Sequence, residues 1–121
     1  MADKTKCLQL VDDKSSSIAT TKNSYIMSAY NEVRVRFKYY TIGADPNEGF
    51  FLEWTANNGS TWNVARRFTY NVDFQNKVWM NADVSWTFSG VSTMKLRFRN
   101  FMSDSSEYAY IDAVIFEGRR R

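Results

Sequence analysis

Residues 94–101 (MKLRFRNF) alternate position by position between apolar and polar: Met94, Leu96 and Phe98 point one way, Lys95, Arg97 and Arg99 the other. A period of two is how a strand separates its faces, so the run predicts an antiparallel strand with a basic outer face. Residues 107–116 (EYAYIDAVIF) alternate as well. Ile111, Ala113 and Ile115 form one apolar file, and Tyr108, Tyr110, Asp112, Val114 and Phe116 form the other, so both faces are covered or used. The short polar segment 102–106 between the two runs suits a hairpin turn.

The same period recurs upstream. Glu32–Ile42 (EVRVRFKYYTI) places Val33, Val35, Phe37 and Tyr39 inward and Arg34, Arg36, Lys38 and Tyr40 outward, a near twin of 94–101. Residues 77–88 alternate throughout, with Val78, Met80, Ala82, Val84, Trp86 and Phe88 on one side and Trp79, Asn81, Asp83, Ser85 and Thr87 on the other. Residues 5–11 read as a first strand, and 18–21 and 25–27 as short ones. Residues 50–55 (FFLEWT) and 61–70 (TWNVARRFTY) flank ANNGS, where Asn-Gly supplies the positive φ of a tight hairpin. Turn formers gather at 12–17 and at 43–49, the latter with the only proline. No segment repeats apolar residues at helical spacing. Strands at this density predict an all-β antiparallel fold, and one charged face against one apolar face favours a jelly-roll β-sandwich over a ligand-holding barrel.

Composition narrows the chemistry. A chain of 121 residues makes one domain, with its core over about 5–118 and a basic tail at 119–121. There is no histidine, which excludes Ser-His-Asp and Cys-His catalysis and histidine-ligated zinc. Cys7, the single cysteine, has no internal disulfide partner and is either a small buried apolar group or a free thiol. The net charge of +3 equals the contribution of Arg119, Arg120 and Arg121, so it implies no nucleic-acid partner. No window approaches the roughly 20 apolar residues of a membrane span, and no insertion into a membrane is expected. The first residues lack a secretion-signal pattern, so a secreted parent would carry its signal outside this chain.

Three stretches, FFLEWTANNGSTW, KLRFRN and YAYIDAVIFEG, together resemble extracellular jelly-roll domains of the MAM and carbohydrate-binding-module groups, which are appended to secreted hydrolases and adhesion proteins. The match spans about residues 50–118, with 8–10 as the first strand. The resemblance implies a concanavalin-like or galactose-binding-like sandwich whose last strand pairs near its first. It also implies a lectin-like, non-catalytic role outside the cell, and a structural Ca2+ near the first and last strands. Asp112 would then be a ligand together with Asp12 or Asp13. Ala113 stands where the family form has a second Asp, a departure that counts against a two-carboxylate site. Asp112 alternatively pairs with Arg97 or Arg99 on a neighbouring strand. The segment TANNGSTW also resembles an Asp-box turn with Asn57 in the Asp position: Asn57 bonds the turn, Gly59 takes the strained angle and Trp62 caps the apolar layer. Asn58-Gly59-Ser60 is a glycosylation sequon, meaningful if the protein is secreted.

The basic files are the candidate chemistry. If Arg34/Arg36/Lys38 and Lys95/Arg97/Arg99 lie in one sheet, they repel unless Glu53, Asp83 and Asp112 interleave with them or an anionic ligand intervenes. Tyr40, Trp79, Tyr108 and Tyr110 are either stacking platforms for a sugar or a second core layer. Arginine beside a ring suits uronic or sulfated glycans. The sequence therefore predicts a module that binds a polar or anionic glycan on one exposed face of Arg36, Tyr40, Trp79, Arg97, Arg99, Tyr108 and Tyr110. The alternative is an adhesion domain contacting a cell-surface or matrix protein, or another copy of itself. No two acids are tied together by spacing, so no enzyme is expected.

Overall fold

The computed structural model describes residues 8–11, 18–21, 24–101 and 107–120. These form β1 (Leu8–Val11), β2 (Ile18–Thr20), β3 (Tyr25–Ile26), β4 (Glu32–Ile42), β5 (Gly49–Thr55), β6 (Asn63–Thr69), β7 (Met80–Thr87), β8 (Thr93–Asn100) and β9 (Tyr108–Arg119). No helix occurs among the described residues. One antiparallel sheet has the order β1-β9-β4-β7 and the other β2-β8-β5-β6, with β3 also on β8. Ile18–Thr20 lie against Arg99–Arg97 and Tyr25 and Ile26 against Met94 and Thr93, so β2 and β3 are two pieces of one edge.

The alternation of each strand builds the core between the sheets. Val33, Val35, Phe37 and Tyr39 of β4 and Ala82 and Val84 of β7 are buried from one side, and Phe50, Leu52, Phe68, Met94, Leu96 and Phe98 from the other. Rings bridge the gap: Phe37 meets Phe98 edge-on at 5.0 Å, and Tyr39 meets Phe50 at 5.2 Å. Burial of each such side chain contributes about 1.5–3 kcal/mol, which makes this seam the main source of stability. The architecture is an all-β sandwich.

Three expectations need correcting. The runs at 94–101 and 107–116 do not form a hairpin, because β8 and β9 belong to different sheets. The edges of β8 are taken by β5 on one side and by β2 and β3 on the other, while those of β9 are taken by β1 and β4. The alternation of β9 is also not continuous. Its register against β4 shifts between Arg36 and Lys38, at Ala113, which stands at φ 53°. A bulge adds one residue and reverses the faces beyond it. Ile111 is therefore buried before the bulge, whereas Phe116 is buried after it and Ile115 lies opposite the outward Arg36. Finally, Arg119 is no tail residue: it closes β9 opposite Glu32, and its carbonyl accepts the Asn31 N–H at 2.9 Å. Cys7, Asp12, Asp13 and Arg121 lie outside the described residues.

Candidate functional site

The predicted site residues divide between the two outer faces of the sandwich. Arg36 and Tyr40 are on β4, Tyr108 and Tyr110 on β9, and Trp79 directly precedes β7, all in the first sheet. Arg97 and Arg99 are on β8 in the second. The single face of seven residues is thus corrected to two faces with the core between them. Alternation distinguishes inward from outward positions but is silent on which sheet a strand joins. The twin patterns of β4 and β8 arise because each covers the same core from its own side.

On the first face, Tyr40 and Tyr110 are register partners with centroids 6.4 Å apart. Trp79 lies 5.2 Å from Tyr40 on its other flank and is 51% exposed. Three rings therefore stand abreast across neighbouring strands. The Asn76 side chain fixes this arrangement locally. It accepts from the Thr41 hydroxyl and the Ala44 N–H at 3.0 Å each and donates to the Ala44 carbonyl at 2.8 Å, while the Lys77 N–H donates to the Thr41 carbonyl. The chain entering β7 is thereby tied to the end of β4. Two positions along, about 7 Å away at strand rise, Lys38 faces Asn81 on one side and Asp112 on the other. Tyr108 occupies the register position opposite Val11 and Ile42.

Farther along this face the cations meet acids. Arg34 donates to both Asp83 oxygens at 2.8 and 2.6 Å, and Arg36 reaches Glu117 at 3.1 Å. The hydrogen bond from Arg34 holds the Asp83 carboxyl below the usual range. Asp83 was legible as an interleaving acid, whereas Glu117 was not, since the bulge sets its facing.

The second face is organised around Glu53. Its side chain is 4% exposed and lies opposite Arg97 in register. One carboxylate oxygen accepts from Arg97 Nε at 2.7 Å and from Arg99 Nε at 3.1 Å, and the other accepts from Arg99 Nη2 at 3.0 Å. Burial pushes the Glu53 carboxyl up, but the hydrogen bonds and charges of Arg99 and Arg97 outweigh it and hold it below the usual range. Each guanidinium also covers a ring: Arg97 is 4.1 Å from the Trp62 centroid, Arg99 is 4.4 Å from Phe51, and Arg67 is 4.7 Å from Phe101. Trp62 therefore does not cap the apolar layer but supports Arg97 on the outside. Phe51 escaped the sequence reading, although it shares its outward parity with Glu53 in FFLEWT.

The turn beneath Trp62 forms as its residues suggest. Asn57 Oδ1 accepts from the Thr55 hydroxyl at 2.7 Å and the Thr61 N–H at 3.0 Å, and Gly59 takes φ 92°. Asn58 and Ser60 of the sequon are exposed at this tip.

Asp112 pairs with neither Arg97 nor Arg99, because β9 and β8 are in different sheets. Its Oδ1 accepts the Ala113 N–H at 2.7 Å, and its neighbour across the strand pair is Lys38. The co-ligands expected for a divalent cation there, Asp12 or Asp13, lie outside the described residues, and such an ion wants six to eight oxygens. The described part of β1 ends at Val11, opposite Tyr108, four residues along β9 from Asp112. Elsewhere, Asp45, Glu48 and Glu107 bring carboxylate oxygens within 4.8 Å of one another, a juxtaposition from distant segments. No protein-family model and no curated protein matches the chain.

Proposed function

We propose that this chain is a jelly-roll binding module, similar to the MAM and carbohydrate-binding-module groups, that holds a polar glycan without transforming it. Counting β2 and β3 as one interrupted strand, the first strand lies beside the last and the second beside the last but one. That order supports a jelly roll, whose paired Greek keys bring chain ends together in this way. An extracellular place, within a larger secreted protein, accompanies the reading.

The row Tyr110, Tyr40 and Trp79 carries the proposal. Ring faces stack on the C–H faces of a sugar, and the parallel row of Asn81, Lys38 and Asp112 offers amide, ammonium and carboxylate groups to its hydroxyls. Binding without chemistry is supported by the acids of this face. Asp83 and Glu117 are engaged by arginines and Asp112 by the Ala113 amide, so among the described residues of this face no carboxyl pair is disposed as acid and base.

A glycan array, followed by affinity electrophoresis in polysaccharide gels, tests the reading. Retardation by a neutral polysaccharide is expected, with a change in tryptophan fluorescence, and both are lost in Trp79→Ala and Tyr40→Ala. Silence toward every neutral glycan overturns it, as does retention by a neutral glycan that survives both substitutions. A mass that rises with concentration but shows no glycan response would favour the adhesion alternative, for which the exposed Val78 and Trp79 beside the open edge of β7 would be the contact.

A further inference from the structure

We infer that the opposite outer face, on the β2-β8-β5-β6 sheet, is a second and separate site that binds an acidic polysaccharide through its sulfate or carboxylate groups. The choice of a polysaccharide rests on the glycan reading above, while the site itself rests on the geometry of this face. Lys95, Arg97 and Arg99 project outward from alternate positions of β8, repeating about every 7 Å, and Arg67 projects outward beyond β5. Among the described residues, Glu53 is the single carboxylate of this face, so the charges of four cations are opposed by one acid. On the other face, by contrast, Arg34 and Arg36 each have an acid of their own.

The arginines are held rather than free. Glu53 binds Arg97 through Nε alone and Arg99 through Nε and Nη2, so neither Nη group of Arg97 is spent on it. Trp62 and Phe51 fix the planes of the two guanidinium groups from beneath. An anion meeting this pair gains charge-assisted hydrogen bonds without first having to order flexible side chains.

The same stacking selects the kind of polymer. Single-stranded nucleic acid binds where bare rings accept bases, but Trp62, Phe51 and Phe101 each already carry a guanidinium over the ring. What this face offers is N–H edges and an ammonium. That presentation fits oxyanions strung along a non-aromatic chain.

The test is affinity electrophoresis and salt-dependent retention of the whole chain on a sulfated polysaccharide (heparin) and on a polyuronate (polygalacturonate). Retention that falls as salt rises is expected on at least one. The double variant Lys95→Gln/Arg67→Gln, at exposed or half-buried positions where folding is preserved, should weaken it about tenfold. Arg97→Lys keeps the charge but loses the planar fork, and should weaken it as well. Trp79→Ala should leave it unchanged. Absence of retention at low salt overturns the inference, as does an unaffected double variant, or loss of retention in Trp79→Ala. Equal or tighter binding to single-stranded DNA or to phosphatidylserine vesicles overturns the choice of partner. Retention on the acidic polymers with silence toward neutral glycans sinks the reading of the first face and leaves this one standing, and the reverse pattern does the opposite.

Discussion

Asp112 accepts the N–H of the residue that follows it, Ala113, at 2.7 Å, and Ala113 stands at φ 53°. The left-handed region costs a residue with a Cβ about 1 kcal/mol relative to glycine. Ala113→Gly is therefore expected to raise stability by about 1 kcal/mol, and Ala113→Val to lower it by more. Denaturant midpoints of the three proteins decide the order. An unchanged midpoint in Ala113→Gly would mean that the bulge carries no strain.

Glu53 makes the fold acid-sensitive in a defined window. Its folded pKa lies below that of the unfolded chain, so the stability it contributes is complete above about pH 4.3 and is lost as pH falls through the folded value. Glu53→Gln removes the charge between Arg97 and Arg99 and should cost about 2–3 kcal/mol near neutrality, discounted because both arginines keep some contact with water. The variant should also show a flatter decline in acid. Urea midpoints across the acid range would expose a parallel decline in the two proteins, the result that contradicts this.

Tyr39 acts at the other end of the scale. Burial first, then the nearby Asp73, pushes its phenol up to about 12. The unfolded chain ionises near pH 10, so the stability linked to Tyr39 is complete below about pH 10 and drains away as pH climbs toward the folded value. Ultraviolet titration should show a late component near pH 12 that is lost in Tyr39→Phe, while Tyr25, whose phenol burial also raises, still titrates late.

Two glycines separate steric from conformational cost. A Cβ at Gly49 would lie 1.8 Å from the Phe68 carbonyl oxygen, whereas at Gly90, with φ 67°, it would meet nothing within 4 Å. Gly49→Ala must push β5 from β6 at the start of their pairing and should cost about 3 kcal/mol. Gly90→Ala bears only the backbone term, about 1 kcal/mol. Equal thermal shifts in the two variants would show that β6 yields freely.

The fold was legible where the physics is local. Alternation in Glu32–Ile42 gave the bounds and facing of β4 without error, and Asn58-Gly59 marked the β5 to β6 hairpin. Pairing was not legible, because it is decided by contacts between distant segments. Two adjacent runs separated by a polar turn look the same whether they fold onto each other or cross to opposite sheets, as β8 and β9 do. Ala113 concealed the bulge, since the left-handed position is usually announced by glycine. The site followed the same division. Tyr40 and Tyr110 proved neighbours, and Arg97 and Arg99 share an acid, but the step from outward to on the same side required the sheet order.

Because the two outer faces share no strand, they can vary independently. Outward residues of β4 fall at even numbers and those of β8 at odd ones, with core residues between them. Changing alternate codons in β4, or in β8, rewrites one surface while leaving the packed seam and the opposite surface intact. Specificity on either side could thus drift, or be selected from a library, without disturbing the other side, provided that ion-pair partners on the same face, such as Glu53 with Arg97 and Arg99, change together.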